Sequence, residues 1–122
     1  MSSKKILIVE DELSLVHALE LHLDSIGYKI ISANNGEEGL KMVKEEKPDL
    51  ILLDILMPKM DGEEMFDKLK QDKDLKDTKI LVITNYTNDP LAKKFEEAGV
   101  EYLVKADYSI LQIAQKCEEL LS

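Results

Sequence analysis

The chain has 122 residues, 44% of them hydrophobic and 34% charged, which fits one folded domain with a core large enough to stand without staples. Sixteen lysines face 25 acids for a net charge of −9, with no arginine, so the chain is a poor candidate for direct nucleic-acid binding. A single cysteine, Cys117, rules out an internal disulfide, and no apolar run is long enough to span a membrane. With Met-Ser-Ser-Lys-Lys leading straight into a strand-like segment, a cytoplasmic protein without membrane insertion is expected.

In chain order, five short apolar runs alternate with five longer amphipathic segments. A strand over 5–10 ends on Glu10-Asp11-Glu12, and a helix over 13–26 repeats Val16, Leu19, Leu23 and Ile26 at three- and four-residue steps before Gly27. The strand over 28–33 mixes polar residues with Ile30 and Ile31, as edge strands do, and Asn35-Gly36 opens a helix over 36–47. A strand over 49–54 is apolar from Leu50 to Leu53 and ends on Asp54; Asp61-Gly62 then opens a helix over 62–73. The strand over 79–84 ends on Thr84, and Pro90 sits in the first turn of a helix over 89–98 that Gly99 closes. Last come a mixed strand over 101–104, Lys105, and a helix over 108–121 carrying Ile110, Ile113, Ala114, Cys117 and Leu120.

This alternation predicts an α/β fold with a doubly wound five-stranded parallel sheet and helices on both faces. Wholly apolar strands one, three and four belong in the centre and strands two and five at the edges, giving the order 2-1-3-4-5. Glu10, Asp11, Asp54, Thr84 and Lys105 then all emerge at the carboxyl edge of the sheet. Asp11 and Asp54 flank the crevice where chain direction reverses, the usual ligand position in open α/β sheets.

Converging carboxylates carry a cost. Two like charges about 4 Å apart repel by roughly 4 kcal/mol at an effective dielectric near 20. Three such pairs reach roughly 10 kcal/mol, comparable with the whole stability of a small domain. Glu10, Asp11 and Asp54 must therefore be spread apart, protonated or neutralised by a cation. Oxygen ligands with room for water and phosphate suit Mg²⁺, and the lack of nearby histidine or cysteine argues against zinc. The plainer reading, acids decorating the start of the first helix, accounts for Glu12 and partly for Glu10 and Asp11, but not for Asp54. A carboxylate such as Asp54 can attack phosphorus, with Lys105 and Thr84 placed to contact phosphoryl oxygens. Taken singly, Thr84 is an ordinary strand-end threonine and Lys105 a solvated lysine. Their convergence is what points to phosphoryl chemistry.

Ile-Leu-Ile-Val-Glu10-Asp11-Glu12, Leu-Leu-Asp54-Ile-Leu-Met-Pro58-Lys-Met-Asp-Gly62, Leu-Val-Ile-Thr84 and Ala-Gly99-Val-Glu-Tyr102-Leu-Val-Lys105 resemble the signatures of the receiver domain of two-component response regulators. The resemblance runs along the whole chain and suits the stand-alone, chemotaxis-regulator-like form, a single receiver domain over 1–122 with a flavodoxin-like fold. It implies a phosphorylation-controlled switch that takes a phosphoryl group onto Asp54 from a histidine kinase or histidine phosphotransfer protein. It further implies Mg²⁺ held by Asp11 directly, by Glu10 through water, by Asp54 and by the backbone carbonyl of Leu56. Thr84 and Lys105 would hold the phosphoryl group, and Tyr102 would turn inward as Thr84 moves. Output would pass through helix four, strand five and helix five to a downstream protein partner or to an effector domain of a longer regulator.

Three departures from the family pattern stand out. Asn85 follows the threonine where a small residue is usual. Ala106 follows Lys105 where a proline in a cis peptide is usual; a non-proline cis bond costs about 2.5–4 kcal/mol, so a trans peptide and a relaxed loop over 105–109 are expected. Leu56 and Tyr86 are bulky beside the path of attacking water and are expected to slow hydrolysis of the phospho-form.

Rival readings fare worse. A small Mg²⁺-dependent phosphohydrolase with an aspartyl nucleophile often needs a second aspartate two residues on, where this chain has Leu56. A flavin-binding module needs a phosphate-friendly loop after the first strand, where Glu10-Asp11-Glu12 would repel phosphate. His17 and His22, five apart on one helix, read as solvent-side residues, Cys117 as a buried filler, and Lys93-Lys94 with Glu96-Glu97 as a solvated face with local ion pairing.

Overall fold

The computed structural model describes residues 3–55, 61–85 and 88–122. Five strands, β1 (Lys5–Val9), β2 (Lys29–Ala33), β3 (Leu50–Leu53), β4 (Lys79–Thr84) and β5 (Glu101–Val104), form one parallel sheet in the order β2-β1-β3-β4-β5. The helices are α1 (Leu13–Ser25), α2 (Gly36–Glu46), α3 (Gly62–Gln71), α4 (Asp89–Glu97) and α5 (Ile110–Leu121). Expected order and edge strands are both observed, and most boundaries fall within two residues of the expected ones.

Side-chain alternation along the central strands builds two cores. Leu7, Val9, Ile51, Leu53, Ile80 and Val82 face one layer, with Val43 of α2, Met65, Phe66 and Leu69 of α3, and Leu91 and Phe95 of α4. Ile6, Ile8, Leu50, Leu52, Leu81 and Ile83 face the other, with Val16, Leu19 and Leu23 of α1 and Ile113, Ala114 and Cys117 of α5. Sandwiched this way, the central strands leave polar chemistry only at their ends.

Helix starts follow capping chemistry. Asn35, Asp61 and Asn88 accept the backbone N–H of Glu38, Glu64 and Leu91 at 2.8, 2.9 and 2.8 Å, and Ser109 forms a reciprocal capping box with Gln112. Gly27 and Gly99 lie past helix ends at φ +101° and +72°, a left-handed backbone that glycine adopts without steric cost. Two expectations need correction. Residues 105–107 form a single 3-10 turn, closed by the Tyr108 N–H on the Lys105 carbonyl at 3.2 Å, rather than a relaxed loop, and α5 starts at Ile110. The Lys105–Ala106 peptide is trans, as expected; no cis peptide occurs among the described residues.

Strand pairing continues past the strands at the edge that matters. The Glu10 N–H donates to the Ala33 carbonyl and the Asp54 N–H to the Val9 carbonyl, both at 3.0 Å, so the ladder itself aims the two acids. On the far side of Asp54, the Gly62 N–H donates to the Ile55 carbonyl at 2.8 Å. A Cβ on Gly62 would lie 2.6 Å from the Ile55 Cα, with the Asp54 carbonyl also in its way, so α3 can seat here only through a glycine. Gly62→Ala is expected to destabilise the fold by about 1–3 kcal/mol, the range for overpacking. Urea denaturation measures this, and a change under about 0.5 kcal/mol would show that α3 is not seated on the Asp54 turn.

Candidate phosphoryl-transfer site

Four strand exits supply the site: Glu10 after β1, Asp54 after β3, Thr84 at the end of β4 and Lys105 after β5. Thr84 pairs with Val104, which sets Lys105 one step beyond the threonine. Glu10, Asp54 and Thr84 are buried, whereas Asp11 is exposed. One oxygen from each of Glu10, Asp11 and Asp54 lies within 4.8 Å of the others, the grouping expected across the β1/β3 crevice.

Lys105 reaches into this acidic hollow. Its Nζ lies 3.1 Å from Asp54 Oδ2, 2.6 Å from Glu10 Oε1 and 3.6 Å from Glu12 Oε1. The contact with Glu10 is the shortest of the three and pairs the buried Oε1 with the ammonium. The other Glu10 oxygen accepts the Glu12 N–H at 3.0 Å. Burial, first, and the Asp54 charge, second, push the Glu10 carboxyl up to about 7, against the pull of Lys105. A raised acid pKa means that the folded chain retains a proton which the unfolded chain releases. That contribution to stability is present at acid pH and disappears as pH rises from about 4.5 to about 7. Burial works against the Lys105 charge as well, but Glu10 and Asp54 outweigh it and hold its pKa above the ordinary lysine value.

The donor set is all carboxylate oxygen. Such a set fits a hard divalent cation that keeps waters and accepts phosphate oxygens. Glu12 lies at the start of α1 as expected, in the N-cap position; its side chain makes no cap hydrogen bond and comes within 3.6 Å of Lys105. Tyr102 is half-buried on β5, its ring stacked on Phe95 at 5.6 Å and 23°. The expectations for Leu56 and Tyr86 lie outside the described residues.

Elsewhere, His17 is exposed and His22 half-buried. Burial pushes the Cys117 thiol up to about 12, so it is an inert core filler. Lys94 is corrected. Rather than pairing locally, it bridges from α4 to Glu63 and Asp67 of α3 at 2.9 and 2.7 Å. Two more contacts escaped sequence reasoning: the edge-to-face pair Phe66–Phe95, and a hydrogen bond from the Ala106 N–H to Asn85 Oδ1 at 2.9 Å. The only available signal for the second was that each residue directly follows a site residue on neighbouring strands.

Residues 6–117 match the response regulator receiver domain. The chain belongs to that family. It is 38% identical over 129 aligned residues to the alkaline phosphatase synthesis transcriptional regulatory protein PhoP of Bacillus subtilis, covering 97% of this chain and 54% of that protein. The chain thus spans about half the length of that relative, and less of several others. Among solved structures, it is similar to a CheY-like response regulator receiver domain protein from Methanospirillum hungatei. The TM-score is 0.86 at 27% identity, over 98% of this chain and 94% of that one. A second is the N-terminal domain of a response regulator receiver protein from Methanoculleus marisnigri, with a TM-score of 0.76 at 31% identity over 99% and 98% of the two chains. Receiver domains are the signalling domains of two-component systems, and the matches give no support to the phosphohydrolase reading.

Within this receiver domain, Lys105 and Asp11 have opposite electrostatic roles. In metal-free buffer, Lys105→Met is expected to destabilise the fold by about 3 kcal/mol, because it strands two buried carboxyls. Asp11→Asn is expected to raise the Tm by roughly 2–5 °C, because it removes repulsion without breaking an ion pair. Thermal unfolding followed by circular dichroism checks both; a fall in Tm for Asp11→Asn would assign that carboxylate a structural role.

Proposed function

We propose that this receiver domain, residues 1–122, is a phosphorylation-controlled switch in which Asp54 is the phospho-acceptor. The observation that carries the reading is Lys105 Nζ at 3.1 Å from a buried Asp54 that is grouped with Glu10 and Asp11. An oxygen of Asp54 attacks the phosphorus of a phosphohistidine on a histidine kinase or histidine phosphotransfer protein. The new O–P bond forms as the P–N bond breaks, and the imidazole departs. Asp11, Glu10 (through water), Asp54 and the Leu56 carbonyl would hold Mg²⁺, which offsets the charge that builds on the phosphoryl oxygens.

Lys105 already faces Asp54 and transfers its contact to a phosphoryl oxygen, while the Thr84 hydroxyl donates to another. Withdrawal of Thr84 towards the phosphoryl group makes room for Tyr102 to turn inward, which biases the surface of α4, β5 and α5. That surface would engage a downstream protein or the effector part of a longer regulator. Among the described residues, no helix is long and apolar enough to cross a membrane; the switch is proposed to work in the cytoplasm.

Incubation with a small acyl-phosphate donor, followed by intact-mass measurement, tests the reading. The expected result is one phosphoryl adduct that requires Mg²⁺ and vanishes in Asp54→Ala. An adduct that persists in Asp54→Ala, or that forms equally in a chelator, would overturn it.

A further inference from the structure

Asn85 and Ala106 each directly follow a residue of the proposed site, Thr84 and Lys105, on neighbouring strands. They lie 21 residues apart in sequence, yet the Ala106 N–H donates to Asn85 Oδ1 at 2.9 Å. The same peptide unit is held at its other end, since its carbonyl, that of Lys105, accepts the Tyr108 N–H at 3.2 Å. The Lys105–Ala106 peptide plane is thus fixed twice: once from within the 3-10 turn, and once across the sheet by Asn85 alone.

We propose that Asn85 is a positioning residue for Lys105. Its side chain locks the backbone orientation from which the lysine reaches Asp54. The role rests on the reading that Lys105 contacts the phosphoryl group. Both residues of the tie are exposed, so burial in the core does not explain them. A lysine side chain is long and rotamer-rich, and a small rotation of its backbone displaces Nζ widely. Misplacement by about 1 Å can cost a reaction a hundredfold. The bond needs an N–H at 106 and a side-chain acceptor at 85. A proline at 106 has no N–H to give, and alanine or glycine at 85 has no side-chain acceptor to offer. Two departures from the family pattern therefore meet in one hydrogen bond, each supplying what the other requires.

The test is a double-mutant cycle with Asn85→Ala and Ala106→Pro in the full chain, with Asn85→Asp as the variant that keeps the acceptor. Phosphorylation by a small acyl-phosphate donor and NMR hydrogen exchange at the Ala106 amide are both followed. Asn85→Ala is expected to slow adduct formation and speed Ala106 exchange by roughly two- to tenfold each, the worth of one hydrogen bond. Asn85→Asp should retain the amide protection. On the Ala106→Pro background, Asn85→Ala should change the rate no further. Unchanged Ala106 exchange in Asn85→Ala, an unchanged rate, or effects that simply multiply would each overturn the proposal. A parent chain that takes up no phosphoryl group overturns the phospho-acceptor reading and this role with it. A parent that is phosphorylated at a rate indifferent to residue 85 overturns the role alone.

Discussion

The lysine amid the carboxylates is the constraint on which the rest of this molecule depends. Gathering Glu10, Asp11 and Asp54 at one strand edge would cost, unrelieved, roughly as much as a small domain has to lose. Relief comes in three ways. Lys105 contacts the two buried acids, burial holds Glu10 towards its neutral form, and Asp11 is left at the surface where water screens it. The relief is incomplete, since one lysine is shared among carboxylates that lie within 4.8 Å of one another. An acidic site that is tolerated but not satisfied has an affinity for a divalent cation built into it.

Around that hollow the backbone is over-determined. The ladder bonds at Glu10 and Asp54, the glycine seat of α3 behind Asp54 and the twice-held peptide after Lys105 leave these acids and the lysine little freedom to drift. The seat also opens into the aromatic layer. Phe66 of α3 packs edge-on against Phe95 of α4, which stacks on Tyr102 of β5. Phe95 is completely buried, so a rearrangement of Tyr102 must either carry that ring along or break the stack.

What could be read from the sequence followed from local chemistry. Strand order came from which runs were wholly apolar, helix starts from Asn35, Asp61 and Asn88, helix ends from Gly27 and Gly99. Glu10, Asp11, Asp54 and Lys105 came from their places at strand exits, and the structure brings all four together. What could not be read depended on where long side chains turn. Lys94 had acidic neighbours on its own helix, but α3 offered two carboxylates at once. Glu12 sits at the N-cap, but its side chain makes no cap hydrogen bond and lies 3.6 Å from Lys105, a direction the sequence does not fix. The tie from the Ala106 N–H to Asn85 joins residues 21 apart, which no local window contains.

Lys94 and Lys105 make nearly the same contacts, each touching at least two carboxylates at about 3 Å, and the solvent around them decides what the contacts are worth. The Lys94 pairs are a third or more exposed, so water and salt screen them to about 0.2–1 kcal/mol each, enough to bias how α4 lies on α3 without locking it. The Lys105 side chain is 13% exposed and its two closest partners are nearly buried, so its loss would leave carboxylates that water cannot reach. A cation that is expensive to remove thus sits in the acidic hollow, and one that is cheap to release ties α4 to α3. A bound partner or ligand could shift α4 with little differential affinity, whereas the hollow could be rearranged only by something that replaces the charge of its lysine, and burial alone produces that difference.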